Sequence, residues 1–563
     1  MNELPLEKRR AGLLAPVFAM RHEQDLGTGD TRAVTEAIDF CATSGFKVLQ
    51  LLPIHETFGD HSPYNPISSR ALAPAFVYID PSEIPGLTEE DFALAAPPAW
   101  REELRAGIVR HGAVHPLKIQ ILQQAWHRFR QGGGPEDDDF ARFREEEKPW
   151  LAHYTLFRLL VREYEGNTNW HDWRPEHRSH EGAERWLAAH PDSEDLREAR
   201  DGYAFIQWIA DRQWQEVRRH ADANGVFLMG EISFGVGRGS CDVWANPALF
   251  DTEWNMGTRP LAHFDTNKDA AAWGQNWGLP SYRWESHRSE GFAWLRGRVE
   301  RQGKFFHLCR LDHLRGYFRI YAFPWPGGPR HSEFANLTPE EAAMKTGGRL
   351  PRFTPGPDDD PVTVVINERQ GRELISIIRD AAGSMELVAE IMGEMPEYMS
   401  RALEELNLAN LAFPQLGMEP GANPAEYQPR ELALATYANH DNAPLASAYP
   451  HLFMQAENDP AGKEAGQLAW LLGFAKWKEP APATLTDALL SALQESLLKS
   501  RSRLAVLMCS DLLGLPLRFN LPGSYGIETW CDRLPMTFPQ FLSHPQFGKK
   551  IREVSAMITA SGR

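Results

Sequence analysis

FFHLCRLDH (residues 305–313) is an apolar run that ends in an arginine, an aspartate and a histidine, and its reading decides the fold. An apolar run this short, closed by ionisable residues, suits a strand covered on both faces whose last residues emerge at one rim. The pattern recurs at GLLAPVFAM (12–20), FKVLQLLPI (46–54), VFLMGEISF (226–234), ELVAEIMG (386–393), NLAFPQL (410–416), ALATYANHD (433–441) and LAVLMCSDLLG (504–514). Helical patterns precede three of the runs: TRAVTEAIDFCATSG (31–45) before the second, FIQWIADRQWQEVRRHADANG (205–225) before the third and GRELISIIRDAAG (371–383) before the fifth. Each ends in a glycine, a helix stop just ahead of a strand. Eight such strands with helices between them predict an α/β chain folded as a (β/α)8 TIM barrel, not an open doubly wound sheet.

Two stretches fall outside the repeat. Residues 81–200, rich in Glu, Arg and Trp, read as a mostly helical subdomain inserted between barrel residues 1–80, which hold strands one and two, and the remainder of the barrel at 201–563. Residues 325–366, with PWPGGPRHSEF near their start and TPGPDDDPVT near their end, are rich in Pro, Gly and Asp and read as a long loop after the fourth strand. Insertions after barrel strands lie over the catalytic face and shape its cleft.

Acidic residues outnumber basic ones by 76 to 59, a net charge of −17 that disfavours nucleic acid and anionic membranes as partners. Neutral ligands such as sugars meet no such barrier. Cys41, Cys241, Cys309, Cys509 and Cys531 are odd in number and never spaced as C-x-x-C, so they read as free thiols in a reducing compartment. Lys8-Arg9-Arg10 before AGLLAPVFAM mimics a secretory signal, but Pro16 interrupts the run and Arg21-His22 closes it. The segment is expected to be a buried strand and the protein soluble and cytoplasmic, since no run reaches the roughly 18 apolar residues of a spanning helix. Eighteen tryptophans are many for this length; most belong to packing, and some offer flat faces on which a pyranose ring can lie.

Chemistry in a barrel belongs at the C-terminal ends of its strands. Strand four ends Arg310-Leu311-Asp312-His313, strand five Ala389-Glu390, and strand seven Asn439-His440-Asp441-Asn442. Adjacent strands lie about 4.8 Å apart, which places Asp312 and Glu390 at the separation a retaining glycosidase needs between nucleophile and acid/base. Arg310, two residues before Asp312, shares its face and would keep it ionised. Glu390 would need its proton affinity raised by burial and carboxylate neighbours. Taken singly, each residue has a plainer role: Asp312 as partner of Arg310, Glu390 as a helix cap, the histidines as packing. GVGRG (235–239) lacks the third glycine of a dinucleotide loop, with Ser240 in its place. His313, His440, Asp312 and Asp441 could in principle ligate a divalent ion, but the first run, GLLAPVFAM, has no histidine of the H-x-H kind.

These residues match a family. RLDHLRGYFRIYAFP (310–324) resembles the R-I-D-H-x-R-G segment of amylomaltases, also called disproportionating enzymes. In the same order come SPY (62–64), GEISFGVGRGSCDVWANPALFD (230–251), WGQNWGLPSYRW (273–284), AEIMG (389–393), NHDN (439–442) and NLPGSYG (520–526). The resemblance implies a retaining 4-α-glucanotransferase that moves an α-1,4-glucan segment onto the 4-OH of glucose or a maltooligosaccharide, with no metal and no organic cofactor. It implies Asp312 as nucleophile, Glu390 as acid/base and Asp441 as a third carboxylate gripping the sugar 2- and 3-hydroxyls. His313 and His440 would bond the same sugar, Arg310 would hold Asp312, Tyr64 would stack beside the ring, and Trp277 and Asn520 would line the cleft. Three places depart from the family: Ile391-Met392 follow Glu390 in place of Asp-Leu, Glu231 stands for the aspartate of G-D-x-P, and Asn439 for the threonine of T-H-D. An α-glucan hydrolase on the same scaffold and a non-catalytic glucan-binding protein are the alternatives, and monomer and dimer are equally open.

Overall fold

A computed structural model of the chain describes residues 3–57, 59–190, 193–260, 273–324, 337–391, 395–418, 421–521 and 529–563. All eight apolar runs form strands: β1 (Arg10–Leu14), β2 (Val48–Gln50), β3 (Phe227–Ile232), β4 (Leu308–Leu311), β5 (Glu386–Ala389), β6 (Ala409–Ala412), β7 (Ala433–Ala435) and β8 (Leu504–Met508). They pair in parallel and close, β1 meeting β2 on one side and β8 on the other. The chain is thus a (β/α)8 barrel. Its strands are buried along almost their whole length, which explains why their sequences read as continuous apolar runs and not as alternating ones.

The helices expected before β2 and β3 span Thr31–Ser44 and Glu194–Asn224. Gly45 and Gly225 end them at φ +86° and +64°, the left-handed conformation that a side chain resists. Pro361–Ala382 precedes β5. The β6–β7 connection is different: among the described residues its one helical turn is Pro414–Leu416, covered by Trp470, whose Nε1 donates to the Pro414 carbonyl at 2.8 Å.

Between β2 and β3 lie helices Glu89–Ala95, Pro98–Arg105, His111–Gln131, Asp138–Glu146, Lys148–Glu163 and His180–Ala188. They grip the barrel through buried charges. Glu56, beyond β2, accepts from Tyr154 Oη at 2.5 Å and lies 3.1 Å from His115 Nε2. A second sheet, antiparallel and four-stranded, runs in the order Gln275–Tyr282, Phe250–Thr258, Ile320–Pro324, Arg352–Thr354. The Pro/Gly/Asp-rich stretch is therefore not all loop: its last strand and the helix Pro339–Thr346 fall within it, and residues 325–336 lie outside the described residues. Thr338 and Glu341 form a reciprocal cap on that helix, a local signal that the bulk composition obscures.

Candidate active site

Strand register brings the acids together. Leu311 stands opposite Ala389 in the β4–β5 pair, so Asp312 and Glu390 are the next residues on adjacent strands. Both approach one guanidinium: Arg310 Nη2 lies 3.8 Å from Asp312 Oδ1 and 4.0 Å from Glu390 Oε1. The expected partnership of Arg310 with Asp312 is looser than its contact with Glu231, which is its register neighbour on β3 and touches Nη1. Backbone amides complete the grip. Phe234 N–H donates to Asp312 Oδ2 at 3.2 Å, and His313 N–H donates to Glu390 Oε2 at 2.8 Å. His313 itself takes a left-handed conformation, φ +44°, a strained backbone position for a residue with a side chain.

Asp441 does not sit on a strand, because β7 ends at Ala435 and NHDN belongs to the loop beyond it. The loop is held from several sides. Asp441 N–H donates to Asn439 Oδ1 at 3.0 Å, Asn520 Nδ2 donates to Asp441 Oδ1 at 2.8 Å, and His440 Nε2 lies 3.1 Å from Asp441 Oδ2. Tyr64, beyond β2, joins the two halves. Its ring stacks on His440 at 5.1 Å and its hydroxyl lies 2.7 Å from His440 Nε2 and 2.6 Å from Glu231 Oε1. Trp277, on the second sheet, meets the His313 ring edge-on at 4.8 Å. Of NLPGSYG only Asn520 and Leu521, and of AEIMG only its first three residues, lie within the described residues.

Burial and charge set the acids apart. Burial raises the Glu390 carboxyl to about 7, opposed by Arg310 and reinforced by Asp312. Burial raises Asp312 as well, but Arg310 and the Phe234 amide oppose it. Burial works against an ionised Asp441, yet His440, Arg310 and Asn520 hold it well below the usual carboxylate range. His440 is pushed up despite its burial, chiefly by Asp441, whereas burial with Arg315 and Arg319 nearby takes His313 down to about 3. The surroundings thus favour the protonated form of Glu390, the ionised form of Asp441 and the neutral form of His313. Among the described residues no group of three or more His, Cys, Asp or Glu is arranged to hold a metal ion.

Sequence reading misses three participants. Glu231 registers as a departure from the family pattern, not as the tight partner of Arg310. The Phe234 amide is a backbone donor and has no sequence signature. Trp530 lies 6.0 Å from Tyr64 and 5.9 Å from His440, carried there on a left-handed residue, φ +59°, that no tryptophan advertises.

Comparison with known proteins gives one consistent result. A family described as 4-alpha-glucanotransferase matches residues 15–537. The 4-alpha-glucanotransferase of Chlamydia caviae is 25% identical over 97% of this chain and 94% of its own length. That of Thermus thermophilus is 27% identical over 93% of this chain and 94% of its own. The amylomaltase of Streptococcus agalactiae, solved with acarbose, superposes with a TM-score of 0.74 at 20% identity, covering 99% of this chain and all of its own. At that identity the last likeness speaks for the fold.

Proposed function

Given that the chain belongs to the 4-alpha-glucanotransferase family, we propose that it transfers α-1,4-glucan segments by double displacement at the Asp312–Glu390 pair. The observation that supports this reading best is the register of those two acids on neighbouring strands with Arg310 beside both. Asp312 attacks the anomeric carbon while Glu390 gives its proton to the departing glycosidic oxygen, and a β-linked glucosyl ester forms on Asp312. Glu390, now a carboxylate, takes the proton of an incoming 4-OH, which attacks the same carbon from the face just vacated. The ester bond breaks, and the α configuration is restored. Asp441 and His440 grip the sugar hydroxyls, with neutral His313 adding a hydrogen bond that carries no charge. Tyr64 and Trp277 supply ring faces beside it.

Maltooligosaccharides serve as donors and glucose or a second maltooligosaccharide as acceptor. The helical insertion of residues 81–200 and the second sheet wall the cleft and favour a sugar over water at the intermediate. Among the described residues no helix is long and apolar enough to cross a membrane. We place the protein in the cytoplasm, a reducing compartment that suits a chain whose five cysteines are all buried.

Incubation of the purified protein with maltotriose and EDTA, followed by chromatography, tests this. The expected products are glucose and a ladder of longer maltooligosaccharides with no gain in total reducing ends. A steady rise in reducing ends without longer products would make it a hydrolase, and no change would leave a binding protein.

A further inference from the structure

Arg310 serves three carboxylates with one charge. Its Nη1 contacts Glu231, while Nη2 stands 3.8 Å from Asp312 and 4.0 Å from Glu390. Which acid the guanidinium favours decides which of them keeps a proton. The Glu231 side chain is wholly buried, and among the described residues its Oε2 has no hydrogen-bond partner. Its Oε1 receives both Arg310 and the Tyr64 hydroxyl. A buried carboxylate left half-satisfied is costly to keep, and neither transfer step uses it chemically. We propose that Glu231 is a positioning residue for the reaction: it holds the Arg310 charge on the β3 side of the site, so that Glu390 retains the proton the leaving group needs, and it fixes Tyr64 against His440. This rests on the transferase reading above.

Charged and titratable groups face the pair from several elements. Glu231 faces Arg310 and Asp312 from β4 and its end, Tyr64 from beyond β2, and His440 from the loop after β7. Glu390 faces Arg310, Asp312, the His313 amide and Asp441. Removing the charge of Glu231 takes one negative neighbour from the cluster and frees the guanidinium for the catalytic pair. Both effects weaken the hold of Glu390 on its proton.

The test compares wild type, E231Q and E231D. In E231Q the descending limb of the kcat/KM profile on maltotriose moves to lower pH by about one unit, and in E231D it moves the same way by less. A purely structural role would lower the rate equally at every pH and leave the limb in place. The same titration is read without turnover from the side-chain carboxyl carbon resonance of Glu390, assigned by its loss in Glu390→Gln. A wild-type protein inert toward maltotriose overturns the transferase reading alone. A Glu390 resonance that titrates unchanged in E231Q, or in E231D where E231Q does not fold, overturns the role of Glu231.

Discussion

At Glu390 burial and the neighbouring Asp312 raise the carboxyl to about 7 against the pull of Arg310. The group is therefore protonated below that pH and competent as an acid, and it loses the proton as pH rises through it. With a glucan donor, kcat/KM should fall above pH 7; a plateau reaching roughly pH 9 would remove Glu390 from the acid role. Replacement by glutamine should cut turnover of maltotriose by about 10²- to 10⁴-fold. The loss should be much smaller with α-glucosyl fluoride, whose leaving group needs no proton. Asp312→Asn should abolish turnover of both donors, because neither can form the ester; equal losses on both donors in Glu390→Gln would contradict the division of labour. These two acids, with Asp441, His440 and Arg310, are legible in the sequence because each ends an apolar run or stands in a motif. Trp530 and the Phe234 amide are not, since one depends on a distant chain segment folding back and the other on a turn.

Elements carry a different kind of signal. The barrel strands are readable because both their faces are covered, while Gln275–Tyr282 is half-buried along most of its length, Phe250–Thr258 is only partly buried, and both find their partners by long-range pairing. How the insertion docks is also hidden until the fold is known. Lys118, in the middle of His111–Gln131, has no exposed side-chain surface and donates to Ala75 and Val77 carbonyls at 2.8 and 2.7 Å and to Asp30 at 3.2 Å. Asp30 in turn caps Thr31–Ser44, the helix before β2. Its carboxylate is buried, and Lys118 and His22 hold it below its ordinary range against that burial. Lys118→Met leaves this acid with His22 and two amides, so we expect a loss of about 3–5 kcal/mol in urea unfolding. Adding Asp30→Asn should recover part of it. A single-variant loss under roughly 1 kcal/mol would mean that water enters and the buried pair is not the bolt.

The two ends of the barrel are built to opposite ends of one compromise. At the N-terminal end Arg563 donates to the carbonyls of Arg10 and Ser500 at 3.1 and 2.7 Å, tying the last residue to β1 and to the approach to β8. At the catalytic end two buried carboxyls, Glu390 and Asp511, are both raised to about 7, Glu390 by burial and Asp312, Asp511 by burial alone. Asp511, just past β8, accepts the Leu445 amide at 2.7 Å at the start of the helix that follows the NHDN loop, and among the described residues its other oxygen has no partner. A carboxyl raised in the folded state binds more protons there than in the unfolded chain, so its effect on stability is nil below the unfolded value and grows less favourable as pH rises toward 7. Asp511→Asn removes that ionisation and keeps an acceptor for Leu445. The variant should match wild type near pH 4 and exceed it by roughly 2–4 kcal/mol at pH 8. Glu390→Gln should behave alike in stability while losing activity, which would tie the weakness of this end to its chemistry. Unfolding free energies at a series of pH values decide the matter: a gain in Asp511→Asn that is equal at pH 4 and pH 8 would come from packing, not from the charge.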